Sequence, residues 1–267
     1  MKIRILMLSL IGFIFFSSCS NDSNSSNSTS QNLDPNTILP KKIIRENALD
    51  ESISYDFFYN QSKLDHIHYD YFNNGDNFEL DINFTYNGNL ISEIKAINNS
   101  GQIYYETDFT YNNNKLVNKQ VTVYDYINNS ISYLIDYTYT YNSTNNIITR
   151  TNTITDIDGN PYTETNTFTI TNDLVFRNND NIWYSTSHSP FKNIIGIQDV
   201  LIEGGTEYAV SGSLLDINSI FFSTTKNLID LEGGRFVYIY NDIEFPTTAL
   251  YYQDSTITPF NYQIIYQ

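Results

Sequence analysis

From Pro40 onward, apolar and polar residues alternate along the chain. Phe57 and Tyr59, Phe84 and Tyr86, Phe109 and Tyr111, and Tyr139 and Tyr141 each stand two positions apart. That spacing puts both rings of a pair on one face of a strand. An asparagine follows each pair, at 60, 87, 112 and 142. Asn-Gly at 87–88 and the Asn run at 112–114 tolerate the positive φ of a tight turn. Leu64, Leu90, Leu116 and Ile147 then open a return strand, continued by residues such as Ile67 and Ile94. A second turn, such as Asn98-Asn99-Ser100-Gly101 or Asp158-Gly159-Asn160-Pro161, leads into the next unit. Phe168-Thr169-Ile170-Thr171, followed by Leu174, is a decayed fifth copy, and Tyr238-Ile239-Tyr240-Asn241 is another. The period is roughly 25–30 residues and holds two strands and two turns.

The pattern predicts an all-β fold, an antiparallel meander of repeated hairpins with one dry and one wet face. A sheet of a dozen or more strands curls or splits instead of staying flat. Polar Asn and Asp are expected to guard its edges. Residues 39–267 read as one domain, with repeats over 41–176 and a closing part over 177–267. Phe84, Tyr86, Leu90, Ile94, Phe109, Tyr111 and Leu116 are the expected core. The period breaks over Ile182–Gly205, which carries the lone Trp183. The dense apolar run from Leu214 to Phe222 predicts a short helix between Ser213 and Asn227.

The N-terminus has a different grammar. A short basic start, Met1-Lys2-Ile3-Arg4, precedes an apolar run over 5–16. That is signal-peptide length and too short to span a bilayer comfortably. Phe16-Ser17-Ser18-Cys19 resembles a bacterial lipobox, with Phe16 in place of the more usual Leu. The resemblance implies cleavage after residue 18 and a lipid on Cys19. Residues 19–38 then form a lipidated Cys and a polar, Ser/Asn-rich tether. Cys19-Ser20-Asn21-Asp22 is similar to the start of mature Bacteroidetes lipoproteins, in which acidic residues after the Cys direct export to the surface. Multiple acyl chains suffice for stable attachment.

Composition narrows the function classes. The formal net charge is −16, with 30 acidic residues against 14 Lys and Arg. That disfavours nucleic acid, whose phosphates need clustered cations. A single Cys rules out an internal disulfide framework and multi-thiolate zinc sites. The 23 Tyr and 17 Phe supply enough apolar area for a sizeable core.

Candidate chemistry is sparse. His66, His68 and Asp70 alternate on one strand face and form a candidate metal triad. Asp156-Ile157-Asp158-Gly159-Asn160 looks like the start of a calcium loop, but the twelfth position is Thr167, where a bidentate Glu is required. Tyr104, Tyr105, Tyr124 and Tyr126 are candidates for a wet face that stacks on sugar rings, against the alternative of cross-strand packing. No nucleophile elbow, zinc-protease motif or phosphate loop occurs, and no cofactor is expected.

The Tyr-Asn-x-x-x-Leu pattern, with Thr155-Asp156-Ile157-Asp158-Gly159-Asn160, resembles YD (Rhs-type) repeats. The chain from Lys41 to Gln267 looks like the YD-repeat-like hypothetical lipoproteins of Bacteroidetes and flavobacteria. That resemblance implies no enzyme and no catalytic residues. The expected protein is therefore an outer-membrane lipoprotein, lipid-anchored and exposed at the cell surface. It acts as a non-catalytic binding or surface-scaffold module, for which a neutral glycan is the candidate ligand. The alternatives are a carbohydrate-active enzyme with unidentified carboxylates and a purely structural envelope protein.

Overall fold

The computed structural model describes residues 34–46, 51–125, 130–144, 147–155, 159, 161–171, 174–177, 182–197, 200, 226–231, 234–252 and 259–267. The signal, Cys19, Tyr126 and all of the calcium-like turn except Gly159 lie outside the described residues. So does the expected helix, apart from Lys226 and Asn227, which open a strand. Leu33–Gln267 forms one compact unit.

The described residues form sixteen strands: β1 (Pro40–Glu46), β2 (Glu51–Asn60), β3 (Lys63–Asn73), β4 (Asp76–Asn87), β5 (Leu90–Asn98), β6 (Ile103–Asn112), β7 (Lys115–Asp125), β8 (Ser130–Tyr141), β9 (Ile147–Thr155), β10 (Pro161–Thr171), β11 (Leu174–Arg177), β12 (Ile182–His188), β13 (Lys226–Leu231), β14 (Gly234–Tyr240), β15 (Pro246–Tyr252) and β16 (Phe260–Tyr266). They make a single sheet in the order β11 back to β1, then β16 back to β12. Neighbouring strands pair antiparallel throughout, and β1 joins β16. The all-β meander expected from the alternation is therefore present. It is open, with β11 and β12 at its two ends.

Turn chemistry sets the hairpins. Gln61, Asn74, Asn113 and Asn114 adopt left-handed φ, as do Gly75 and Gly88. Asn and Gly accept that conformation at little cost, and it matches the twist of the flanking strands. Side chains then alternate. Ile53, Tyr55 and Phe57 on β2, Leu64, Ile67 and Tyr69 on β3, and Ile82 and Phe84 on β4 are buried in one cluster. A single sheet achieves such burial by curving over its own apolar face. The opposite face carries Asp56, His68, Asp81, Lys95 and Glu106. On β2–β6 this is the reverse of a membrane-spanning barrel strand, which turns its apolar residues outward, whereas β8–β10, β14 and β16 expose Ile131, Tyr133, Ile147, Tyr162, Val237, Ile239 and Ile265.

Phe84, Ile94, Phe109 and Leu116 are buried as expected, and Tyr86 and Tyr111 pack half-buried against them. Leu90 needs correction. It pairs with Asn87 at the hairpin end, so its neighbour Ile91 stands opposite Tyr86 and is fully buried. A shift of one residue changes the face.

Between successive hairpins the sheet forks. The β1/β2, β3/β4, β5/β6, β7/β8 and β15/β16 ladders end at Asp56, Asn83, Asp108, Thr138 and Gln263. Each of these lies three residues before a motif tyrosine. The tyrosine hydroxyl then spans the gap. Tyr59 donates to Pro40 O at 2.8 Å, Tyr141 to Leu116 O at 2.8 Å and Tyr266 to Pro246 O at 2.7 Å. Tyr86 accepts from Leu64 N at 3.1 Å. In the decayed copy Ile170 replaces the tyrosine, and the β9/β10 ladder continues to Ile147↔Thr169.

The segment after β12 crosses the forked end. Phe191, Ile194 and Ile197 enter the core, with Phe191 6.1 Å from the ring of Phe57. Asn193 Nδ2 donates to Pro35 O and Ile38 O at 2.9 and 2.8 Å. Ile38 is buried, so Asp34–Leu39 belongs to the body, where a tether had been expected as far as residue 38.

Candidate functional site

The two histidines of the expected metal triad turn to different partners. His66 stacks on Phe58 at 4.3 Å and its Nδ1 lies 2.9 Å from Asp65 Oδ2. His68 Nδ1 lies 2.9 Å from Asp81 Oδ1. Alternate residues of one strand stand about 6.7 Å apart, whereas facing strands are about 4.8 Å apart, so each histidine takes its carboxylate from the adjacent residue or the facing strand and not from within the triad. Among the described residues no group of three His, Cys, Asp or Glu is placed to hold a metal ion.

The tyrosines do not form one platform. Tyr105, expected on the wet face, lies in the core, where burial raises its phenol pKa strongly. The β5/β6 register shifts between Ala96 and Ile97, which leaves Tyr104 as the extra residue of a bulge. It packs edge-on against Phe78 at 4.9 Å. Tyr124 is on the outer face and donates to Glu106 Oε2 at 3.3 Å.

The outer face pairs its charges within the sheet. Lys95 Nζ sits 2.8 Å from Glu93 and 2.7 Å from Glu106. These bonds push Lys95 upward, and Lys95 holds Glu93 below the usual carboxylate range. Desolvation, then the neighbouring Glu106 and Glu93, raise Asp108. Lys42 pairs with Asp56 at 2.8 Å.

The inner face of β7–β9 holds two cations that sequence reasoning missed. Lys119 and Arg150 are buried and flank Tyr137, at 4.4 and 5.3 Å from its ring centroid. Burial, then repulsion from Arg150, lowers the Lys119 pKa to about 7. The signal was present in the alternation: Arg150 occupies the inward position between Ile148 and Asn152.

Among the described residues, a concave feature lies at the β5/β6 fork. It is a groove of about 840 Å³ between the tips of two hairpins. Asn87, Gly88, Asn89, Asn113 and Asn114 form its rim, and Leu90, Ser92, Phe109, Thr110 and Tyr111 form its walls. No carboxylate, histidine, lysine or arginine lines it. The groove exists because the ladder stops at Glu93↔Asp108, leaving Leu90–Ser92 and Phe109–Asn112 unpaired across the seam. The motif tyrosines marked each hairpin end in the sequence, but nothing there showed that the strands part.

The chain matches no protein-family model and no curated protein. Among solved structures, it is similar to a porin-like protein from Bacteroides vulgatus ATCC 8482, with a TM-score of 0.43 at 12% identity, over 86% of this chain and 98% of that one. A porin-like protein from Bacteroides uniformis ATCC 8492 aligns with a TM-score of 0.38 at 11% identity, over 85% and 96% of the two chains.

Proposed function

We propose that the protein is a non-catalytic, lipid-anchored module of the outer membrane that presents a binding surface to the cell exterior. The observation that carries the non-catalytic reading is the β5/β6 groove. It offers hydroxyls, amides and a phenol but no group suited to acid–base or nucleophilic work near neutral pH. On the outer face Glu93 and Glu106 pair with Lys95, Asp56 with Lys42 and Asp81 with His68. Anchoring rests on Cys19 and its lipobox-like context, because the charged outer face of β2–β7 is unsuited to lipid. The resemblance to YD-repeat-like lipoproteins points the same way.

A neutral glycan at the groove is a second reading, favoured by that charge-free lining on a chain of net charge −16. Incubation with a panel of neutral polysaccharides tests the class. Retention or indifference without new reducing ends is expected. Release of reducing sugar, lost on replacing a carboxylate pair, contradicts it and supports a carbohydrate-active enzyme.

A further inference from the structure

The chain already shows how the forked end of the sheet receives a peptide. Ile195 N donates to Ser62 O at 2.9 Å, and Tyr86 donates its hydroxyl to Ile195 O at 3.2 Å. Gly196 follows at φ +80°, so close to β5 that a Cβ would stand 2.7 Å from Asn89 O and 3.3 Å from Ile91 N. The segment thus meets the tip of one hairpin with an amide and the tip of the next with a bare Cα.

We infer that the β5/β6 groove docks a short aliphatic–glycine segment of a partner protein, seated as Ile195-Gly196 is seated one hairpin earlier. The repeat carries Ser62 onto Asn89 and Asn89 onto Asn114, so an acceptor carbonyl at one hairpin tip and a close backbone approach at the next recur, while Tyr111, the counterpart of Tyr86, keeps its hydroxyl on Ile91 O and offers the segment its ring. Asn89, Tyr111 and Asn114 all line the groove. The groove also continues the track along which the chain's own segment crosses the sheet end. Where strands part, main-chain groups face the gap, and pairing with another backbone is the common way to use them. The volume suits a few residues. The uncharged lining and the overall negative charge favour a neutral or basic segment, as Lys192 makes the intrachain one. The inference rests on the non-catalytic reading of the groove, but not on lipid attachment.

The probe is a fluorescein-labelled nonapeptide with the sequence Ser189–Ile197, added to the full-length lipidated protein in detergent micelles and followed by fluorescence anisotropy. Saturable binding is expected. It weakens by about tenfold or more when Thr110→Trp or, independently, Ser92→Trp fills the groove. The same loss is expected for a peptide carrying Gly196→Ile. Absence of saturable binding overturns the inference, as does binding indifferent to both groove variants or to the glycine. Displacement of the peptide by a neutral oligosaccharide at micromolar concentration also overturns it and gives the groove to glycans. New reducing ends in the polysaccharide assay would instead defeat the non-catalytic reading on which the inference stands.

Discussion

The hydroxyl of Tyr111 donates to the carbonyl of Ile91 at 2.9 Å, across a seam whose ladder has already stopped at Glu93↔Asp108. The same bridge recurs at Tyr59, Tyr141 and Tyr266. The repeated tyrosine is thus a brace that satisfies backbone where the sheet forks. Tyr111→Phe keeps the ring and removes the bridge, so a loss of about 1 kcal/mol is expected. For a domain of this size that is a fall of about 2–4 °C in Tm. Tyr133→Phe, at an exposed position, serves as the control and should leave Tm unchanged in the same calorimetric scan.

Gly196 combines a left-handed φ with backbone contact at its Cα. Gly196→Ala introduces strain and a clash with Asn89 O that no side-chain rotation relieves. A loss of about 1–3 kcal/mol is expected, read as a lower urea midpoint at unchanged slope.

Ile91 and Leu90 are adjacent and unlike. Ile91→Ala empties a fully buried site and should cost about 2–5 kcal/mol. Leu90→Ala trims a half-buried groove wall and should cost clearly less. Equal losses in chemical denaturation would contradict the register.

Lys119 is buried beside Arg150, and its folded pKa falls to about 7, below the unfolded value near 10.4. Between those values the unfolded chain binds more protons, so stability rises with pH. Below about pH 7 the penalty is fully present. Lys119→Met should therefore raise Tm more at pH 6 than at pH 9. Equal gains at the two pH values would show that the ammonium is not penalised by burial.

The sequence displayed the meander plainly, because strand alternation, Asn turns and a repeated aromatic pair all agree at each hairpin. It was misleading at Leu90, where a two-residue turn puts Ile91 on the inner face. It misled again at Tyr105, where the bulge at Tyr104 decides which ring turns inward. The groove was illegible because it arises from where pairing stops between strands β5 and β6, not from a residue pattern. The buried Lys119 and Arg150 were hidden by their charge, which suggests a wet face, although their positions in the alternation point inward.

The proposed function has a water-facing sheet held at the membrane by lipid on Cys19. Alkaline carbonate extraction of membranes, combined with metabolic labelling by an alkynyl fatty acid, tests it most directly. The wild-type protein should carry label and stay with the membranes, while Cys19→Ala should carry none and appear in the soluble fraction. A Cys19→Ala protein that carries no label, has lost residues 1–18 and still resists carbonate extraction would place the strands themselves in the bilayer and contradict this reading.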